Sequence, residues 1–267
     1  SYGIRRCENK QSATNKILRR QIVKFLNSLA PGTCSDIILN KTKIDIFSSK
    51  LRGQALPIGS FNSPIVALQS LYSILCQVEG TPTRPGIATS YDLSRVTYDD
   101  KTYLCGAEFT LHLTTNKNLT FFTYFAFDRS RKICGYDAQI RNIGITLDQS
   151  EEINAASIQQ LCVGIQTICS GQDQQYESFN DCVSFMTNQI PVGSFDRADQ
   201  NNAICRSIHI KLAPLAPEIH CPHVGPTSGP CADKTSQAYY KSSSMNIFEE
   251  KTSICFKKSD VKWADTL

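Results

Sequence analysis

The chain has 267 residues, of which 41% are hydrophobic and 19% charged, so it has a globular composition and can bury a substantial core. Its net charge of +4 arises without a dense run of lysines and arginines, which argues against nucleic acid as a partner. No apolar run approaches the roughly 18 residues that a membrane-spanning helix needs, so no membrane span is predicted.

Two amphipathic helices are predicted near the N-terminus. The first runs from Thr14 to Leu29 with one apolar stripe, and Pro31-Gly32 ends it. The second begins at Asn62-Ser63-Pro64, where a capping residue precedes a proline at the first helical position, and Gly80 ends it. The segment 37–47 between them has a mixed pattern that allows a short strand.

The stretch from Tyr103 to Asn142 predicts three antiparallel strands joined by two hairpins. Apolar and polar residues alternate from Ala107 to Thr114, which is the period of a strand with two unlike faces. Asn116-Lys117-Asn118 tolerates the positive φ of a tight turn, and the segment 128–131 closes the second hairpin. The central strand, 119–127, is rich in Phe, Tyr and Thr, so we expect both of its faces to be covered.

Twelve cysteines are the most informative residues of the composition. Their number is even, their spacing is wide and they form no CxxC pair, which predicts up to six disulfide bonds in an oxidising compartment. We therefore expect a secreted, extracellular protein in which all twelve are bonded, mostly within 147–232, with Cys255 tying the tail. The cysteines are Cys7, Cys34, Cys76, Cys105, Cys134, Cys162, Cys169, Cys182, Cys205, Cys221, Cys231 and Cys255.

Two N-glycosylation sequons agree with secretion. They begin at Asn40 and Asn118, and Asn118 lies in a predicted hairpin turn that has room for a glycan. The sequence begins with Ser1 rather than Met, as a processed chain would. A secreted glycoprotein is therefore predicted.

This order of elements resembles the NTF2-like superfamily, and its SnoaL-like branch more closely. The resemblance is carried by the two helices and by the phrases AEFTLHLTT, LTFFTYFAFDRSRKI and CGYDAQIRNIG, and it covers roughly residues 12–146. It implies an α+β fold in which a curved antiparallel sheet forms a cone packed by the N-terminal helices. In enzymes of this superfamily Asp and His residues inside the cone do acid–base work, whereas many other members only bind ligands.

The composition changes after Gly144 to helical segments that are rich in cysteine. Helices are predicted after an acidic start at 148–152, after a cap at Ser178, and from about Asp199 to Leu212. The run from Cys205 to Cys231 is similar to a cysteine-rich extension on some secreted, chiefly fungal, SnoaL-like proteins.

Three domains are predicted on this basis. Residues 1–146 form the NTF2/SnoaL-like domain, residues 147–232 the cysteine-rich helical extension, and residues 233–267 a C-terminal tail. Cys7 and Cys255 offer covalent anchors near the two ends, so we expect both ends to dock on their own domain or on a neighbouring copy.

The resemblance implies a catalytic site inside the cone. Glu108 and His112 share one strand face, and each could meet Asp137 or Arg141 from a neighbouring strand across a cavity. The alternative is that this polar face is the solvent side of the sheet. The expected apolar ligand pocket consists of Phe109, Phe121, Tyr124 and Phe125.

The extension contains a group of histidines and cysteines, and both residue types bind zinc or copper. His220-x-x-His223 could place two imidazoles near one another. Because cysteines in a secreted protein are usually oxidised, we predict a disulfide-clamped loop without a metal or any other cofactor. If a metal is bound there, His220 and His223 are the candidate ligands. The whole group is Cys205, His209, His220, Cys221, His223 and Cys231.

Two main functions remain open. One is a secreted glycoprotein that binds a small apolar ligand or has a structural role through self-association of its termini. The other is a cofactor-independent SnoaL-like enzyme, a cyclase, isomerase or hydrolase, that uses His112 and Asp137; a metal-dependent enzyme centred on His220 and His223 is a third. A closed apolar cavity with an ionisable pair would favour an enzyme, whereas a cavity filled by phenylalanines would argue against it.

Overall fold

The computed structural model describes residues 12–39, 41–73, 76, 86–99, 102–227, 229–235 and 255. The strands are β1 (Phe47–Leu56), β2 (Gly59–Phe61), β3 (Ala88–Asp99), β4 (Leu104–Leu113), β5 (Asn118–Phe127) and β6 (Ile133–Ile140). The helices are α1 (Ala13–Ser28), α2 (Thr33–Ile38), α3 (Pro64–Ser73), α4 (Ile143–Leu147), α5 (Glu151–Ile168), α6 (Phe179–Asn188), α7 (Ala203–Ile210) and α8 (Pro217–His220).

The strands of the described residues form one curved sheet in the order β2-β1-β6-β5-β4-β3. The neighbours from β3 to β6 are antiparallel, and the two predicted hairpins are the pairs β4–β5 and β5–β6. β1 and β6 are parallel, so the sheet is mixed where β1 joins the predicted antiparallel strands. Gly53 of β1 permits this pairing, because a Cβ there would overlap the ring of Tyr136 on β6.

The turns between the antiparallel strands have the chemistry that the sequence indicated. Asn116 has a φ of +57° in the turn between β4 and β5. In the next turn Asp128 Oδ1 accepts hydrogen bonds from the backbone N–H groups of Ser130, at 2.9 Å, and Lys132, at 3.1 Å. These local contacts fix the two hairpins.

The first helices pack on the concave face of the sheet and close the cone. Phe25 of α1 makes edge-to-face contacts with Phe47, Tyr72 and Phe125, at centroid distances of 6.1, 6.1 and 5.8 Å. The hydroxyls of Tyr72 on α3 and Ser28 on α1 form a hydrogen bond of 2.7 Å, so the two helices are also joined by a polar contact. The predicted α+β cone is confirmed.

The helices α5 to α8 surround a second hydrophobic core, which includes Ile165, Met186 and Val224. We call this part, residues 148–235, the helical module. Three disulfides stabilise it: Cys162–Cys182, Cys169–Cys221 and Cys205–Cys231.

Side-chain caps set the starts of two helices in the module. Ser178 Oγ accepts from the N–H of Asp181 at 3.1 Å, so α6 begins after the predicted cap. Asn202 Oδ1 accepts from the N–H of Cys205 at 2.8 Å, so α7 begins at Ala203 rather than near Asp199. Because an asparagine cap satisfies backbone donors that the helix leaves free, it ends the preceding turn and starts the helix.

The helical module packs directly against the cone. Ile208 of α7 is buried in the core of the cone together with Ile143 and Leu147 of α4. Asp196 Oδ1 accepts from the backbone N–H of Gly144 at 2.8 Å, so a side chain of the module is hydrogen-bonded to the backbone of α4. The module therefore covers the end of the cone at α4.

The remaining cysteines give two bonds and one exception. Cys34–Cys76 ties α2 to the residues after α3, and Cys134–Cys255 ties the C-terminal segment to β6. Within the described part of the chain Cys105 is a buried free thiol, so the prediction that every cysteine is bonded is wrong at this position.

Several predictions fall on residues that the structure does not describe. Cys7, the sequon residue Asn40, and residues 1–11 and 256–267 are among them, so the predicted docking of the two ends has no structural outcome. No helix of the described residues is long and apolar enough to cross a membrane.

Candidate functional site

The predicted catalytic residues of β4 lie on the outer face of the sheet. Buried and half-buried residues alternate along β4, with Phe109 and Leu111 facing the cone and Glu108 and His112 facing away from it. The solvent-side alternative therefore describes this polar face correctly.

His112 makes two polar contacts on that outer face. Its Nδ1 lies 2.8 Å from Asn118 Oδ1, and its Nε2 lies 2.9 Å from Asp92 Oδ2. The hydrogen bonds to Asn118 and then to Asp92 raise the pKa of His112. Because Asp92 is largely exposed, this pair is a surface contact rather than an enclosed acid–base site.

The other two predicted catalytic residues also lie outside the cone. Asp137 is opposite Tyr124 in the β5–β6 register, on the face away from the neighbouring cone residues Tyr136 and Ala138. Arg141 is exposed just after β6. The placement of these residues around one cavity inside the cone was wrong.

Phenylalanines fill most of the cone, where the ligand pocket was predicted. Phe109, Phe121 and Phe125 do face inward, and the rings of Phe109 and Phe121 stack at 5.1 Å. The cavity that remains measures about 60 Å³, well below the roughly 300–1,000 Å³ of ligand pockets. Tyr124 is 55% exposed on the outer face and is not a pocket residue. The cone therefore offers no room for a drug-sized ligand.

A larger cleft lies where the cone meets the helical module. We call it the junction cleft; it measures about 300 Å³ and is bounded by α5, α7, the end of α4 and the β4–β5 turn. Its apolar walls include Ile158, Leu161, Ile204 and Ile208. Leu147, Phe195 and Ile208 line both the junction cleft and the cone cavity, so these side chains form the wall between them.

Lys211 is the charged residue that the sequence analysis missed. It lines the junction cleft although it is only 7% exposed, and burial lowers its pKa to about 7. A signal for it existed: Lys211 follows Ile204 and Ile208 at helical spacings of seven and three, so the period of α7 places it on the same apolar stripe.

Three histidines of the helical module lie close together where α7 meets α8 and the 3-10 turn that follows it. His209 lies on α7, His220 on α8, and His223 in the 3-10 turn Cys221–His223. Their ring centroids are 4.8, 5.8 and 6.2 Å apart, and one nitrogen of each ring lies within 4.8 Å of the others. We call them the histidine cluster.

Burial favours the uncharged form of the rings in the histidine cluster. Burial lowers the pKa of each ring, that of His220 to about 4, and the neighbouring rings lower those of His209 and His220 further. The cysteines of the predicted ligand group do not join this set, since Cys205, Cys221 and Cys231 are all in disulfide bonds.

The fold defines the class of the protein: an α+β cone, made of a curved sheet and packed helices, that carries a disulfide-rich helical module. Residues 130–235, which run from the β5–β6 turn through the module, match the BfoA family C-terminal domain. The chain is 30% identical to the Aurasperone B biosynthesis cluster protein A of Aspergillus niger over 57% of each chain.

Two further similarities are to a second Aspergillus protein and to a solved structure. The Bifonsecin B biosynthesis cluster protein A of Aspergillus brasiliensis is 32% identical, over 48% of this chain and 50% of that protein. The chain thus spans about half the length of the curated relatives it matches. The structure of a SnoaL-like protein from Jannaschia superposes with a TM-score of 0.36 at 10% identity, covering 52% of this chain and 96% of that one.

Proposed function

We propose that the protein binds a small molecule in the junction cleft. The observation that carries this proposal is the contrast between the two cavities: about 300 Å³ in the cleft against about 60 Å³ in the cone. The larger volume is at the lower end of the range of roughly 300–1,000 Å³ for ligand pockets, and such pockets occur preferentially where domains meet.

The lining of the cleft indicates the chemistry of the ligand. Isoleucine and leucine side chains supply apolar walls, and Lys117 and Lys211 supply positive charge at its edge and in its interior. Asn154 and Ser207 add hydrogen-bonding groups. An aromatic or otherwise apolar molecule that carries one acidic group fits this combination, because a buried amine is stabilised by an anionic partner.

The names of the relatives support a small molecule as the partner. The relatives from Aspergillus niger and Aspergillus brasiliensis are both described as biosynthesis cluster proteins. A protein that receives a product or an intermediate of such a cluster would need a cleft of this size and polarity.

An oxidising compartment is the second part of the proposal. Five disulfides support secretion, since such bonds persist outside the reducing cytosol. Asn118 is exposed at the start of β5 and accessible to a glycan.

Treatment of the natively secreted protein with a glycan-removing amidase should lower its mass and convert Asn118 to aspartate. An unglycosylated Asn118 would contradict this part of the proposal.

The cleft is tested by blocking it. We expect the parent protein to bind 2-naphthoate, an aromatic carboxylate, in isothermal titration calorimetry. Ser207→Trp places an indole in the cleft and should abolish this binding, whereas Ser184→Trp, on the exposed face of α6, should leave it unchanged. A parent that binds no 2-naphthoate, or a Ser207→Trp variant that binds as tightly as the parent, would overturn the proposal.

A SnoaL-like enzyme acting in the same cleft is the second candidate. The observation that favours it is the buried amine of Lys211, which lies beside the ligand position and could exchange a proton with a bound molecule. Mass spectrometry can monitor the conversion of an intermediate from a biosynthesis cluster. Conversion by the parent protein, and none by Lys211→Met, would support this candidate over simple binding.

A further inference from the structure

The histidine cluster has the features of a metal site. Ring nitrogens from α7, α8 and the following 3-10 turn converge, and the Nδ1 atom of each ring is buried and has no hydrogen-bond partner among the described residues. His209 is 5% exposed and His220 is fully buried. Because buried polar atoms are normally paired, three neighbouring rings that each carry an orphaned nitrogen indicate a shared partner that can accept lone pairs. We propose that His209, His220 and His223 bind one divalent transition-metal ion, with zinc as the natural candidate.

The tautomer of His220 is set for this role. Its Nε2 lies 3.3 Å from the side-chain oxygen Oε1 of Gln69 on α3, and an amide oxygen can only accept a hydrogen bond. The proton of the neutral ring therefore sits on Nε2, and the unpartnered Nδ1 carries the free lone pair. Metal-binding histidines are usually oriented in this way, by a hydrogen bond on the ring nitrogen that does not bind the ion.

The cysteines leave a nitrogen-only ligand set. Cys205 and Cys231 lie close enough to His209 to belong to a ligand group, but their sulfurs are bonded to each other. Three imidazoles with a fourth position for water are a typical zinc set, whereas calcium and magnesium require oxygen ligands. Copper(II) also binds imidazole and is generally bound more tightly, so it is the competing ion.

The scaffold holds the ligands near their final positions. Cys221 lies between His220 and His223 in sequence, and its disulfide with Cys169 fixes their segment to the end of α5. Buried Arg206 on α7 donates to the carbonyl oxygen of Gly225 at 3.2 Å, which joins α7 to the same segment. Ligand atoms within 4.8 Å of one another need only a small closure to reach about 3.3 Å, the separation for tetrahedral bonds of 2.0–2.1 Å.

The ion would act as a clamp between α7 and the segment that carries His220 and His223. His220 has no exposed surface and His209 almost none, so the ion would enter past His223, which is half-buried. This role is independent of ligand binding in the junction cleft, and the test below does not depend on a ligand.

The test is metal binding by the chelator-treated, disulfide-intact protein. Isothermal titration with zinc chloride, without reductant, should give one equivalent, and zinc should raise the melting temperature because it binds only the folded state. Cobalt(II) in its place should give the visible absorption of a tetrahedral nitrogen site. Replacing one ligand, as in His209→Phe or His223→Phe, should weaken zinc binding by more than the 10–100-fold that losing an outer-shell partner costs. His112→Phe removes the histidine of the outer face and is the matched control.

The outcomes are distinct. The proposal is overturned if the parent binds no stoichiometric zinc or copper, or if the cluster variants bind as tightly as the parent, whatever the result for His112→Phe. His223→Gln keeps the test decisive should a buried phenylalanine impair folding, since His223 is the half-buried member. Circular dichroism confirms that each variant is folded before titration.

Discussion

Ile208, His209 and Ile210 are consecutive residues of α7, and each contributes to a different part of the molecule. Ile208 belongs to the core of the cone, His209 to the histidine cluster, and Ile210 to the core of the helical module. Successive side chains of a helix point about 100° apart, so a helix that is buried on all sides contacts several neighbours at once. α7 therefore connects the core of the cone, the histidine cluster and the core of the helical module.

At the residue scale, Cys105 should be a free but unreactive thiol. It is fully buried on β4, and burial raises its pKa to about 12, so almost no thiolate is present at neutral pH. We expect iodoacetamide to leave Cys105 unmodified in the native protein and to label it after denaturation without reductant. Peptide mapping by mass spectrometry checks this, and a Cys7–Cys105 disulfide peptide would contradict it.

Lys211 should determine the preference of the cleft for acidic ligands. Because the amine is the charged group in the interior of the cleft, Lys211→Met should weaken 2-naphthoate binding by about 10-fold or more, the value of one charge-assisted hydrogen bond. Binding of uncharged naphthalene-2-methanol should not weaken.

The control for this prediction is Lys50→Met, which removes an exposed lysine of β1 and should change neither affinity. Calorimetric titrations of all three proteins with both compounds make the comparison. Equal losses for the acid and the alcohol in Lys211→Met would show that the amine does not recognise the acidic group.

At the element scale, the sequence predicted what local chemistry determines. The stripe of α1, the cap of α6 and the turn at Asn116 depend on neighbouring residues, and the structure has them where the pattern placed them. β1 was not predicted in its observed place, because its parallel partner β6 lies some eighty residues further along the chain and the pairing depends on tertiary contacts. The face of β4 that looks inward was equally undetermined, since period-2 alternation identifies two faces without saying which one is buried.

The cap of α7 should be important for stability, because this helix joins both cores. Asn202 accepts from the N–H of Cys205 at 2.8 Å and donates to the carbonyl oxygen of Arg197 at 2.8 Å. Asn202→Ala removes both bonds and should lower the free energy of unfolding by about 1–2 kcal/mol in urea titrations. Ser170→Ala, at the start of a 3-10 turn without a side-chain cap bond, should change it by less than about 0.5 kcal/mol. Equal losses in the two variants would contradict this role.

At the scale of the whole molecule, the site is made by the meeting of two parts. The junction cleft combines the β4–β5 turn with α4, α5 and α7, which are distant in sequence, so no motif could indicate it. The histidines could be recognised by residue type, but their convergence depends on disulfide pairings that spacing alone leaves open. The cone, by contrast, was predictable as a fold and uninformative as a site, because phenylalanines fill it.

The most direct measurement of the central claim is nuclear magnetic resonance of isoleucine methyl groups during titration with 2-naphthoate. Ile158, Ile204 and Ile210 line the junction cleft, whereas Ile58, Ile140 and Ile143 line only the cone cavity. We predict shifts of the first three methyl signals with one common dissociation constant, and little change in the other three. Shifts confined to the cone set, or none in the cleft set at saturation, would contradict a ligand site at the junction of the cone and the helical module.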